Sequence, residues 1–213
     1  MKSVSLILLA AASGTIFLTA CGQSSTPAAD TKGPAAATVQ PAVAAPTQAP
    51  ATPAEQSGKL VIQGYASSVP GSWTPSQPSS PMRVAQFALP AATGADVGEL
   101  AAYFFPTGQG GSHQANIERW SSQFTDAGGK TVVPKITTSK SGDVEVTLVE
   151  LQGTYSRGVG MGPTGEAKPD QTLMVAMVET AIGRITLQMY GPSKTLSAQR
   201  DGFMKLAKGF HSA

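Results

Sequence analysis

Apolar positions divide this chain into three zones. Over residues 4–17 (VSLILLAAASGTIF) they run almost unbroken. Over residues 23–57 they nearly vanish, leaving Val39 and Val43 as the only bulky apolar side chains among Ala, Pro, Thr, Ser and Gln. From Lys59 onward they return with periods of two and of three to four, the mark of elements that share a core. Residues 59–62 (KLVI) predict a first strand, followed by a loop through Val69-Pro70-Gly71-Ser72-Trp73 and further prolines at 75, 78 and 81. Residues 82–89 (MRVAQFAL) place Ala85, Phe87 and Leu89 on one face of a strand, Pro90 and Gly94 break the chain, and residues 99–105 (ELAAYFF) predict another strand. Residues 131–138 predict a weaker strand, which Pro134 confines to an edge. Alternation is clearest over residues 143–151, with Val144, Val146 and Leu148 facing one way and Glu145, Thr147 and Val149 the other. Residues 172–179 (TLMVAMVE) are apolar on both faces, as a central strand requires, and a short turn at 180–183 leads into residues 184–190.

Two stretches carry a helical period instead. Residues 112–124 (SHQANIERWSSQF) set Ile117, Trp120 and Phe124 on one stripe, with Ser112 placed to cap the start and Gly128-Gly129 to end the helix. Trp120 lies in the middle of that stripe and is expected in the core. Residues 193–210 place Leu196, Phe203, Leu206 and Phe210 together after Gly191-Pro192, again with a serine at the start. Strands joined by short turns imply antiparallel pairing. The expectation for residues 58–213 is one α+β domain, an antiparallel sheet packed by a mid-chain helix and a C-terminal helix around one core.

Composition and charge narrow the function classes. The 213 residues carry Lys+Arg 15 and Asp+Glu 13, a formal charge of +2 with no basic run. That excludes nucleic acid as the expected partner, which needs a clustered basic face. A single cysteine, Cys21, excludes a disulfide framework and a thiolate metal cluster.

The first zone then acquires a meaning. Met1-Lys2 followed by residues 4–17 has the build of a secretory signal, and it is shorter than the ~20 apolar residues a membrane span needs. It ends on Leu18-Thr19-Ala20-Cys21-Gly22, which resembles a bacterial lipobox. The resemblance implies that residues 1–20 are removed and that Cys21 becomes an N-terminus carrying a thioether-linked diacylglyceryl group with palmitate-type chains. Two acyl chains hold a protein stably at a bilayer, at ~0.8 kcal/mol per buried methylene. Residues 21–57 follow as a lipidated, disordered tether, because spaced prolines prevent the alanines from forming a helix and no core can form. As a coil it spans roughly 30–35 Å. Gly22-Gln23 lacks the Asp that resembles an inner-membrane retention signal, which favours the outer membrane of a two-membrane envelope.

Candidate chemistry is sparse. His113 and His211 are the only histidines; His113 is expected as an exposed first-turn residue, and His211 lies third from the C-terminus, where chains usually fray. No G-x-S-x-G or H-x-x-x-H occurs, and no metal or cofactor is expected. Residues 160–165 (GMGPTG) match G-x-G-x-x-G literally, but Pro163 interrupts them and no apolar helix follows, so a loop is expected. Asp143 and Glu145 read as the wet face of a strand. Residues 108–112 (GQGGS) lie between a strand and a helix N-terminus, where free N–H groups can hold an anion, or where glycines simply serve a tight turn. No Lys or Arg lies in that turn, and Arg119 is nearly two helical turns on.

The layout from residue 59 to 213, with Pro70-x-x-Trp73 after the first strand, a mid-chain helix, a meander and a closing helix ending in Phe210, resembles the PsbP/DcrB-like superfamily. The resemblance implies a non-catalytic binding or accessory module and carries over no site residues. Residues 108–112 with 116–120 (NIERW) also resemble uncharacterised bacterial lipoproteins, which implies no activity. The expectation is therefore a lipid-anchored, non-enzymatic envelope protein that meets an envelope protein or component. Its alternative is a small-molecule, anion-binding or enzymatic domain using residues 108–112 and His113.

Overall fold

The computed structural model describes residues 58–156 and 166–213. The signal segment, Cys21, the tether and the loop at 160–165 lie outside the described residues. Strands β1 (Lys59–Ile62), β2 (Tyr65–Ser68) and β11 (His211–Ser212) form a small sheet in the order β1-β2-β11. Positive φ at both Gln63 (51°) and Gly64 (78°) closes the β1–β2 hairpin, matching the twist of its strands.

The large sheet has eight strands. Its main path runs β3 (Thr74–Pro75), β4 (Ala85–Leu89), β5 (Gly98–Pro106), β10 (Gly183–Pro192), β9 (Lys168–Thr180), β8 (Val144–Tyr155) and β6 (Phe124–Thr125). β7 (Lys135–Ser141) also pairs with β8. Every pairing is antiparallel. Helix α1 (His113–Ser121) follows β5, and α2 (Ser193–Lys208) follows β10. The fold is α+β, as the order of periods predicts.

Alternation along the strands sorts residues to two faces. One face packs Leu100, Ile185, Leu187, Met189, Ala176, Val178 and Val146 against Leu196, Phe203 and Leu206 of α2 and against Leu60 and Ile62 of the small sheet. Ser67 Oγ donates to the Leu206 carbonyl at 2.7 Å, and Trp73 Nε1 donates to Gln199 Oε1 at 2.9 Å. Pro70 closes over Gly202, where an added Cβ would stand 2.9 Å from its ring. The Pro-x-x-Trp segment is thus a seat for α2. On the opposite face, Val149, Leu151, Leu173, Val175 and Met177 are covered by Ile117, Trp120 and Phe124.

Several boundaries differ from expectation. Helix α1 stops at Ser121, and Phe124 lies in β6 opposite Tyr155, still fully buried. Consecutive serines are weak helix formers, and pairing with β8 draws Phe124 and Thr125 into a strand. Gly128 and Gly129 do not end that helix. They belong to a turn in which Asp126 Oδ1 accepts the N–H groups of Gly128 and Lys130 at 2.8 and 2.9 Å. The edge strand expected at 131–138 begins only after Pro134, at Lys135, and runs to Ser141. Ser193 is inside α2 rather than its cap; its Oγ accepts from Thr172 Oγ1 at 2.8 Å, and Pro192 occupies the cap position. That helix ends at Lys208, so Phe210 is buried beyond it.

Candidate functional site

Two places concentrate polar side chains. The first is the glycine turn between β5 and α1, where Gly108, Gly110 and Gly111 have φ of 80°, 79° and 72°. Ser112 caps α1 as expected, accepting the Ala115 N–H at 3.1 Å. Arg184 of β10, only 6% exposed, reaches into the turn. Its Nη2 donates to the carbonyls of Gly111 (2.7 Å) and Gln109 (3.3 Å), while Asn116 Nδ2 donates to the Gly110 carbonyl at 2.7 Å. Three successive carbonyls of the turn therefore receive donors from side chains.

Glu179 completes this joint. Its Oε1 accepts from His113 Nε2 at 2.6 Å and stands 3.7 Å from Arg184 Nε, an ion-pair distance too long for a hydrogen bond. His113 is thus half-buried and paired, not the exposed first-turn residue expected. The cation missing from the sequence of the turn comes from 73 residues downstream. An arginine at the start of a strand whose alternate residues Ile185, Leu187 and Met189 are core was the available signal.

The second place is on the large sheet, on the face that α1 covers. The helix packs over β8 and β9, with Tyr190 of β10 at its margin, and among the described residues no helix covers the β4–β5 side of that face. There the register sets Ala101 between Gln86 on one side and Gln188 on the other. Along β5 the same face carries Glu99, opposite Tyr190, and Tyr103, opposite Thr186. The result is a cleft of about 730 Å³ lined by Arg119 and Trp120 of α1, by Gln123 just beyond that helix, and by Arg83, Tyr155 and Lys168 among others.

Part of this cleft is held rigidly. Gln86 Nε2 donates to Glu99 Oε2 at 2.9 Å, and its Oε1 accepts from Arg83 Nη1 (2.8 Å) and the Ser79 N–H (2.9 Å). Arg83 Nη1 also donates to Glu99 Oε1 at 2.7 Å. Tyr155 and Tyr190 pack ring to ring at 4.8 Å, tilted by 51°. Burial, and then the neighbouring Tyr155, pushes the Tyr190 phenol up to about 12, so it remains a neutral donor near neutral pH. The Arg119 guanidinium lies 5.5 Å from the Trp120 ring centroid, and the buried Trp120 Nε1 has no hydrogen-bond partner among the described residues. Among the described residues, the Gln188 amide and the Tyr103 hydroxyl likewise have no side-chain partner.

The remaining candidates do not converge. Glu145 is exposed on β8, Asp143 sits in the turn before it, and His211 is exposed in β11, with its Nδ1 2.9 Å from the Gly209 carbonyl. No group of three or more His, Cys, Asp and Glu side chains comes together among the described residues. No described helix is long and apolar enough to cross a membrane.

No family model matches the chain, and no match is found among curated proteins. Among solved structures it is similar to cyanobacterial PsbP (CyanoP) from Synechocystis sp. PCC 6803, with 12% identity over 73% of this chain and 91% of that one and a TM-score of 0.41. It is also similar to PA94, a Pseudomonas aeruginosa protein of unknown function. There the identity is 13% over 68% of this chain and 90% of that one, with a TM-score of 0.36.

Proposed function

We propose that this is a lipid-anchored envelope lipoprotein whose folded part is a non-catalytic binding or accessory module, held off the membrane by the tether and working through the open half of the large sheet. The observation that carries the binding role is the cleft over Ala101. Its lining is largely polar and aromatic, and among the described residues no helix closes over it. The opposite face of the same strands is closed by an apolar layer, which leaves this half as the side available to a partner. The anchor rests on Leu18-Thr19-Ala20-Cys21 and the signal-like segment before it. The alternative, an anion or small-molecule site at residues 108–112, is disfavoured by the use of carbonyls 109–111, which turns the joint toward donors rather than anions.

Replacing Cys21 tests the anchor. The native protein should give a mature N-terminus at Cys21 bearing lipid mass, and Cys21→Ser should abolish both processing and membrane fractionation. An unmodified Cys21, or a mature start elsewhere, would refute the assignment.

A further inference from the structure

We propose that a slot between α2 and the β7 edge of the large sheet binds a short aliphatic carboxylate, at a site separate from the open cleft. It lies on the other face of the sheet, every lining residue is described, and none adjoins residues 157–165.

The first argument is where the apolar layer ends. On the α2 face the register lines up Met174, Glu150 and Lys135 in one row and Ala176, Leu148 and Thr137 in the next. Burial gives way outward along both rows. Met174 and Ala176 on β9 are buried, Glu150 and Leu148 on β8 are half-buried, and Lys135 and Thr137 on β7 are exposed. Arg200, Met204 and Lys208 recur at helical spacing and form the flank of α2 beside those rows. Helix flank and sheet thus stand apart over a cavity of about 110 Å³, with Leu148, Met174 and Met204 as its apolar lining.

Size sets the tail of the ligand. A dry cavity of ~150 Å³ admits benzene, so by proportion this one takes about four carbons. The two thioethers adapt to an unbranched chain, and a seated chain removes their apolar surface from water.

Charge sets the head. Arg200 Nη1 is committed to Glu150 Oε2 at 2.6 Å. The Lys135 and Lys208 ammonium groups have no partner among the described residues, which leaves the lining with an excess of positive charge. The Lys208 carbonyl at the end of α2 already accepts from Ser141 Oγ. Lysine acts as a point charge, and with Arg200 occupied no guanidinium fork is free for a phosphate, so a singly charged carboxylate fits.

The test uses the full-length chain in a neutral detergent, with isotope-labelled methionine methyl groups, titrated with pentanoate and followed by NMR. Met174 and Met204 should shift saturably, with a dissociation constant of about 1 mM for so small a ligand. Met177 and Met189, fully buried and outside the cavity, should not shift. Acetate lacks the tail, and pentanol and pentylammonium lack the negative charge; each should bind at least about threefold more weakly. Lys135→Gln combined with Lys208→Gln should weaken pentanoate binding about fivefold. Met204→Trp, which fills the cavity, should abolish the Met174 shift. Lys205→Gln, an exposed charge outside the lining, should change nothing, with melting curves confirming that each variant is folded. The absence of saturable shifts at Met174 and Met204 would overturn the proposal, as would equal shifts at Met177 and Met189. Binding of pentanol or pentylammonium as tight as that of pentanoate, or undiminished binding by the double lysine variant, would also overturn it.

Discussion

The two faces of the eight-stranded sheet are built to different ends. On one, α2 and the small sheet close over an apolar layer in which Phe87, Leu100, Ile185, Leu187, Phe203 and Leu206 are 0% exposed. On the other, α1 covers only the β8–β9 side, and the β4–β5–β10 half carries Gln86, Glu99, Tyr103, Gln188 and Tyr190. The same strands serve both faces, because alternate residues of β5 and β10 point opposite ways. A β-strand can thus supply core with one set of positions and recognition with the other at little cost to either. The contrast locates stability on the α2 face and the proposed interaction on the open half.

Substitutions can break this contrast. Phe203→Ala, in the closed layer, should have the largest effect, a loss of ~3–5 kcal/mol by chemical denaturation. Trp120→Ala, on the buried face of α1, should cost somewhat less, about 3 kcal/mol. Truncation there also removes a buried indole N–H with no partner, whose burial is itself unfavourable by ~1–3 kcal/mol. A Trp120→Ala protein as stable as wild type but unable to bind would move Trp120 from core to ligand surface.

A smaller effect is expected at the joint between β5 and α1. Gly110 has φ +79°, and an added Cβ would stand 2.6 Å from Phe105 Cγ and 3.0 Å from Arg184 Nη2. Gly110→Ala should therefore cost about 2 kcal/mol, from the left-handed backbone penalty together with the overlap. Gly108, whose φ is +80° with nothing within 4 Å of an added Cβ, separates the two terms. Equal losses in the two alanine variants would show that the Phe105–Arg184 packing contributes nothing.

Much of the architecture was legible from hydrophobic period alone. The alternation in 143–151 set Val144 and Val146 on the opposite face from Val149, and in the structure Val144 and Val146 lie in one core cluster and Val149 in the other. The features that escaped depended on distant pairing. β2 and β11 are short and carry no long alternation, and β11 exists only because His211 and Ser212 pair with Ala66 and Tyr65. The joint around Arg184 and the cleft around Ala101 were invisible for the same reason. Gln86, Ala101 and Gln188 are ordinary surface-type residues in their own segments and become a row only through the β4–β5–β10 register. The glycines of 108–112 were visible, but whether N–H or C=O groups would be used was decided by Arg184 from another strand.

The most direct measurement of the central claim compares photo-crosslinking from the two regions in the intact envelope. A photo-reactive phenylalanine analogue is placed at position 103, in the cleft, and separately at position 61, an exposed site (52%) on the small sheet. At position 61, a surface site, stability should change by no more than ~0.5 kcal/mol, and at position 103, half-buried and stacked on Phe105 at 6.4 Å, the analogue keeps an aromatic ring. The account predicts discrete adducts from position 103 and none from position 61. Adducts in equal yield from both positions, or from position 61 alone, would contradict it.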